Sequence, residues 1–155
     1  MLQVDYLILA DAAAAVEGKH YIHGGGWDTL AAATFPVVHP AMSAAFRLRV
    51  PWADTNQAHY MELDVVDADG HSILPAPHGP VRGPITVGRP AQAIPGADQV
   101  VPLVFSLLMI RFERPGAYVA VLRINGSDLA RAPFHVVARP FTSQRDVPAM
   151  GEGKL

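Results

Sequence analysis

The chain has 155 residues and no cysteine. That excludes a disulfide framework, a thiolate nucleophile and any cysteine-based zinc site. It also fits a reducing cytoplasm, the location expected here. Basic runs are missing too. Arg82, Arg89, Arg111, Arg114, Arg123 and Arg131 stand singly, with no aromatic stacking platform among them. Nucleic-acid binding is therefore not expected. No uncharged apolar run approaches the ~20 residues of a membrane span. The opening MLQVDYLILAD has no Lys or Arg before its apolar run, and Asp5 and Asp11 bracket that run closely. No secretory signal and no membrane partner are expected.

Helical patterning is almost absent as well. Only DAAAAVE (11–17) has helix-forming composition, and it is too short to stand alone. One turn, or the connection of a hairpin, is the expectation there. Half of the residues are apolar, enough for a core without metal or disulfide staples. Net charge is −2 but uneven: residues 1–70 carry nine acidic and three basic residues, residues 71–155 five and nine.

What is present is alternation with period two. In AMSAAFRLRV, Met42, Ala44, Phe46, Leu48 and Val50 share one face. Met61, Leu63 and Val65 do so in HYMELDVV. Tyr118, Ala120, Leu122 and Ile124 do so in AYVAVLRI, and Ala132, Phe134 and Val136 in APFHVV. These read as half-buried strands. DADG (67–70), ERPG (113–116) and NGSD (125–128) separate strands, with Asn125-Gly126 as a hairpin turn centre. The fold expected is all-β: an antiparallel, immunoglobulin-like β-sandwich of about seven to nine strands. It should form one domain over residues 1–138, followed by an irregular tail, 139–155.

Two stretches depart from this pattern. PAPHGPVRGPITVGRPAQAIPG (75–96) holds six prolines and four glycines. It reads as a long loop with a short strand at Ile85 to Val87. Such loops are commonly functional or disordered. VVPLVFSLLMIRF (100–112) is apolar on both faces. Val101, Leu103, Phe105, Leu107 and Met109 read as one face, with Val100, Val104, Leu108 and Ile110 on the other. Something must cover the second face, either the proline-rich loop or another subunit. Val104, Leu108, Ile110 and Phe112 are the interface candidates.

HGGGW (23–27) is the sharpest motif. Lipases and esterases use such glycines as oxyanion donors. None of the five serines lies in G-x-S-x-G, and the strand–helix alternation of that fold is missing. The better reading is structural: Gly24, Gly25 and Gly26 permit a bend or close crossing before Trp27 packs. Tyr21 and His23 should then lie on one strand face, and His20 and Ile22 on the other. No metal site and no cofactor are expected, because the histidines lack i, i+2 strand spacing. Asp64, Asp67 and Asp69 only loosely resemble a calcium loop. Tyr118, just after a turn, is positioned either for a tyrosine corner or for plain core packing. Trp27, Trp52, His78, Arg82 and Arg89 are the candidates for a ligand or anion cleft.

Taken together, VDYLILADAAAAVEGKHYIHGGGWDTL, FRLRVPWADTNQAHYMELDVVDADG and VVPLVFSLLMIRFERPGAYVAVLRINGSDLARAPFHVV resemble a family of small bacterial, largely actinobacterial, proteins known only as a domain of unknown function. The resemblance implies a compact β-rich domain with no assigned activity, cofactor or site residues. The function expected is that of a non-enzymatic interaction or structural module, self-associating or docking on a protein. A small-molecule or anion-binding sandwich is the alternative, and a hydrolase comes third.

Overall fold

The computed structural model describes residues 1–75 and 79–140. His78 and the tail from residue 141 lie outside the described residues. The described residues form nine strands: β1 (Gln3–Val16), β2 (Lys19–Gly25), β3 (Thr29–Ala32), β4 (Val37–Val50), β5 (Ala58–Val66), β6 (Val81–Thr86), β7 (Gln99–Phe112), β8 (Gly116–Ile124) and β9 (Ser127–Ala138). A four-stranded sheet has the order β2-β1-β4-β7, and a five-stranded sheet the order β3-β9-β8-β5-β6. The fold is all-β, as the alternation implies. One pair departs from the antiparallel expectation: β3 runs parallel to β9, from Thr29 beside His135 to Ala32 beside Ala138.

The core lies between the sheets and follows the period-two faces. Met42, Ala44, Phe46, Leu48 and Val50 of β4 meet Leu63, Val65, Leu122 and Phe134 from the other sheet. Tight turns set the registers. Asn125 and Gly126 both have positive φ (51° and 82°), the requirement of a two-residue β8–β9 turn. Glu17 and Gly18 (50° and 74°) make the equivalent turn between β1 and β2. The alanine run is therefore strand, the second half of β1, because pairing with β2 supplies hydrogen bonds that a two-turn helix could not sustain.

The proline-rich stretch is more ordered than its composition suggests. Val81–Thr86 forms β6, six residues long and earlier than the strand expected at Ile85 to Val87. It pairs only with β5, at the sheet edge, where a proline such as Pro84 removes no needed donor.

The first sheet has an unusual appendage. β1 pairs with β4 only as far as Ala10, opposite Ser43, and then continues with β2 alone. Leu7, Phe46 and Leu103 lie in one row across the sheet. His20 pairs with Ala15, eight residues past Leu7. A straight strand would place Ala15 about 26 Å beyond that row. Yet His20 Nε2 donates to the Leu103 carbonyl at 2.9 Å, and its Nδ1 accepts from the Tyr6 hydroxyl at 2.9 Å. The β1–β2 hairpin is therefore an arm folded back over the non-core face. The arm explains why Ala10, Ser43 and Ala45 are buried although they point away from the core. It covers the part of that face around Leu103, and Leu74, Pro75, Gly79 and Val81 line a cavity with Ser106 and Leu108 farther along β7.

Candidate interaction surface

The two sheets present very different outer faces. On the five-stranded sheet a chain of ion pairs crosses β6, β5, β8 and β9: Arg82–Glu62 2.7 Å, Arg123–Glu62 2.7 Å, Arg123–Asp128 2.8 Å and Arg131–Asp128 3.1 Å. Burial pushes the Glu62 carboxyl up, but hydrogen bonds from Arg123 and Arg82 outweigh it and hold the group below its ordinary range. This face is charged, paired and hydrated. Its one large exposed apolar side chain among the described residues is Tyr60, beside these paired charges.

The four-stranded sheet offers an apolar patch where β4 and β7 run on beyond the arm. The register passes from Ala41↔Leu108 to His39↔Ile110, and Pro40 and Met109 drop out between. Pro40 has no N–H to donate, and Met109 sits at φ 53°. Across this point both strands change phase by one residue. Leu107 faces the core before it; Ile110 and Phe112 face the core after it. Leu108 and Met109, 70% and 63% exposed, turn to solvent beside Val38, 44% exposed.

This corrects the interface set. Ile110 and Phe112 are each 1% exposed and belong to the core, because the phase change rotates them inward. Val104 is half-buried, on the face the arm covers, beside Ala45. Of the four candidates only Leu108 stands free. Met109, read as a core residue from unbroken alternation, stands beside it. Val38 escaped notice altogether. The available signal was Pro40 inside a β-run, a residue that marks a break in pairing.

At this same end an aromatic cluster closes the core. Phe134 packs edge-on against Trp27 (5.9 Å) and Phe112 (6.1 Å) and stacks on Tyr118 (5.8 Å). Tyr118 is buried and its hydroxyl donates to the Arg114 carbonyl at 2.6 Å, four residues back across the turn. Burial raises its phenol above the ordinary value. Both readings of Tyr118, corner bond and packing, describe the same side chain. Tyr118→Phe keeps the ring and removes only the bond. It should lower unfolding stability by about 1 kcal/mol, read as a lower urea midpoint at unchanged slope.

Of the four described residues proposed for a ligand cleft, only Trp52 and Arg89 meet. Trp27 packs on Phe134, whereas Trp52 follows Val50 at the far end of β4. The Arg89 guanidinium lies 4.1 Å over the Trp52 ring and bonds the Thr55 hydroxyl and the Trp52 carbonyl. Arg82 is engaged by Glu62 on the other face. Each of these four side chains is already committed to a partner in the fold. Two concave sites among the described residues lie elsewhere. One of about 460 Å³ is lined by Met1, Asp54, His59, Asn125 and Ser127. Another of about 420 Å³ is lined by Asp67, Ser72, Arg111, Arg114 and Tyr118. In the first, Asn125 accepts from the Tyr60 amide and donates to His59 Nδ1, and His59 Nε2 donates to the Asp54 carbonyl. Asn125 thus joins the turn to the cleft wall.

HGGGW forms the base of the arm. The Gly26 N–H donates to the Leu9 carbonyl at 2.8 Å, and Gly25 pairs with Ala10. Gly24 and Gly26 have φ of 58° and 83°. A Cβ on Gly24 would lie 2.3 Å from Asp11 Oδ2, and one on Gly25 2.4 Å from Ile22 Cγ2. The glycines allow the close crossing of the two arm strands. The acidic turn is likewise occupied. Asp67, Asp69 and His71 bring ligand-type atoms within 4.8 Å of one another. However, Asp67 Oδ1 accepts the amides of Asp69 and His71, and Arg114 lies 3.5 Å from Asp69. Asp64 is separate, accepting from the Ser72 hydroxyl. No helix among the described residues is long and apolar enough to cross a membrane.

Among solved structures, the chain is similar to a Pseudomonas fluorescens alkylpurine DNA glycosylase, AlkC, bound to DNA containing an abasic site analog. The identity is 14% and the TM-score 0.43, over 88% of this chain and 30% of that one. The chain thus spans less than a third of that protein's length. No curated protein matches it. A family model does: residues 5–137 match the family of unknown function DUF6941, and the chain belongs to that family.

Proposed function

We propose that this chain is a non-enzymatic β-sandwich module that works by contact, self-associating or docking on a protein through the patch formed by Val38, Leu108 and Met109. The observation that carries it is the exposure of two large apolar side chains side by side at the phase change in β4 and β7. The phase change at Met109 turns both outward, and adjacent exposed apolar groups mark contact surfaces. The paired charges on the opposite face favour this end for the contact. An immunoglobulin-like topology suits the role. The order β9-β8-β5-β6 follows the G-F-C-C′ order of variable-type domains, and Tyr118 opens β8 as a tyrosine corner opens strand F. A cytoplasmic location fits the cysteine-free chain.

Light scattering tests the self-association. The wild type should gain mass with concentration. A Leu108→Asp, Met109→Asp double variant should lose the part of that gain contributed by the patch, at the same melting temperature. A wild type that remains a monodisperse monomer at millimolar concentration removes the self-association. The second reading is a small-molecule binder, favoured by the polar cleft around His59 and Asn125 rather than by the tryptophans. Its check is a metabolite screen by thermal shift, in which Asn125→Ala should abolish any stabilisation found.

A further inference from the structure

We propose that the β1–β2 arm, residues 11–25, exchanges between two copies of this chain, each arm seating on the outer face of the partner's four-stranded sheet. The seat is built. Ala10, Ser43 and Ala45 form a floor of small side chains, and the Tyr6 hydroxyl and Leu103 carbonyl hold His20 from either side. A carbonyl only accepts, so His20 presents Nε2–H to Leu103 and its Nδ1 lone pair to Tyr6. Any chain carrying this arm owns the matching half of that seat, and a second copy does so by construction.

The arm is also held loosely in its own chain. Pairing with β4 ends at Ala10. Within residues 11–25 only Ala13 and His20 are even partly buried, and none of these side chains enters the core. Its base carries Gly24, Gly25 and Gly26, which accept backbone conformations other residues resist. Lifting the arm therefore breaks few contacts, and seating it on a second copy restores all of them. Such an equilibrium is decided by what the exchange adds. Here it adds contact between the two copies where their arms cross, and Ala12, Ala14, Val16 and Tyr21, exposed on each arm, are the apolar side chains free to make it. This surface is distinct from the Val38–Leu108–Met109 patch and does not depend on it.

The absence of cysteine makes the test clean. One population carries Lys19→Cys beside the latch histidine; a second, isotopically heavy, carries Val100→Cys beside the seat. They are incubated together at high concentration, treated with a short bismaleimide and read by mass spectrometry. A light–heavy cross-link arises only when one chain's arm lies on another chain's seat. It should form in the wild-type background and equally with Leu108→Asp and Met109→Asp present. A control with the second cysteine at Arg131, on the other sheet, should give none above chance encounter. Two results overturn the proposal. One is the absence of any light–heavy link while a separate variant carrying both Lys19→Cys and Val100→Cys links within its own chain. The other is a light–heavy link that vanishes with the patch substitutions, since it would then report the patch contact.

Discussion

Phe134→Ala is expected to remove about 3–5 kcal/mol of unfolding stability. Phe134 is fully buried, and it alone touches Trp27, Phe112 and Tyr118 together. The loss has two parts. The ring's transfer from water is forfeited, and the cavity left behind cannot collapse easily. Its lining comes from different elements: Phe112 on β7, Tyr118 on β8, and Trp27 on the segment between the arm and β3. Closing the gap would require both sheets and the arm's base to move together. Natural domains of this size are stable by about 5–15 kcal/mol, so the variant should melt far lower and bind a hydrophobic dye near body temperature. Urea denaturation followed by tryptophan fluorescence measures it directly, because Trp27 reports from the cavity edge. A Phe134→Leu variant should recover part of the loss. If Phe134→Ala unfolds within about 0.5 kcal/mol of wild type, the sandwich is not closed at this end as described.

How far the sequence reveals this fold depends on the residue. Met42 to Val50, Met61 to Val65 and Tyr118 to Ile124 were legible because each strand has one dry side, and period two reads that directly. β7 was legible as a strand but not in phase. Its two faces are equally apolar, so hydrophobicity could not register the one-residue change opposite Pro40. What decides it is a backbone angle at Met109, and a methionine gives no hint of positive φ. The arm was legible as glycines that permit a bend, but not in its direction. That depends on His20 meeting Tyr6 and Leu103, residues 14 and 83 positions away. The tryptophan–arginine cleft failed for a related reason. Residue types suited to binding were grouped by chemistry, while the length of β4 holds Trp27 and Trp52 apart. Arg82 and Arg89 carry charge that the fold itself consumes.

Ile110→Asp and Leu108→Asp, made two positions apart on one strand, should behave oppositely. By unbroken alternation both residues share a face, and both substitutions would be tolerated by a monomer. In the structure the phase change separates them. Ile110 lies within the core cluster that includes Phe112 and Phe134, while Leu108 is mostly in water. A carboxylate at 110 would be stripped of water, with only the His39 ring opposite it and no Lys or Arg in the core cluster to meet it. It must either protonate or unfold the chain, and breaking a dry environment in this way costs about 3–5 kcal/mol or more. The same carboxylate at 108 stays hydrated, and exposed substitutions shift stability within about 0.5 kcal/mol. The expected pair of results is therefore a large fall in melting temperature for Ile110→Asp and almost none for Leu108→Asp. Acid should partly rescue the first, because the new carboxyl has a raised pKa in the fold. Its penalty is present above that raised value and relieved as pH falls through it. Equal tolerance of both substitutions would place Ile110 on the surface and restore the four-residue interface. A severe loss from Leu108→Asp alone would show the side chain packed within the monomer, and the contact surface would then have to be sought on the arm.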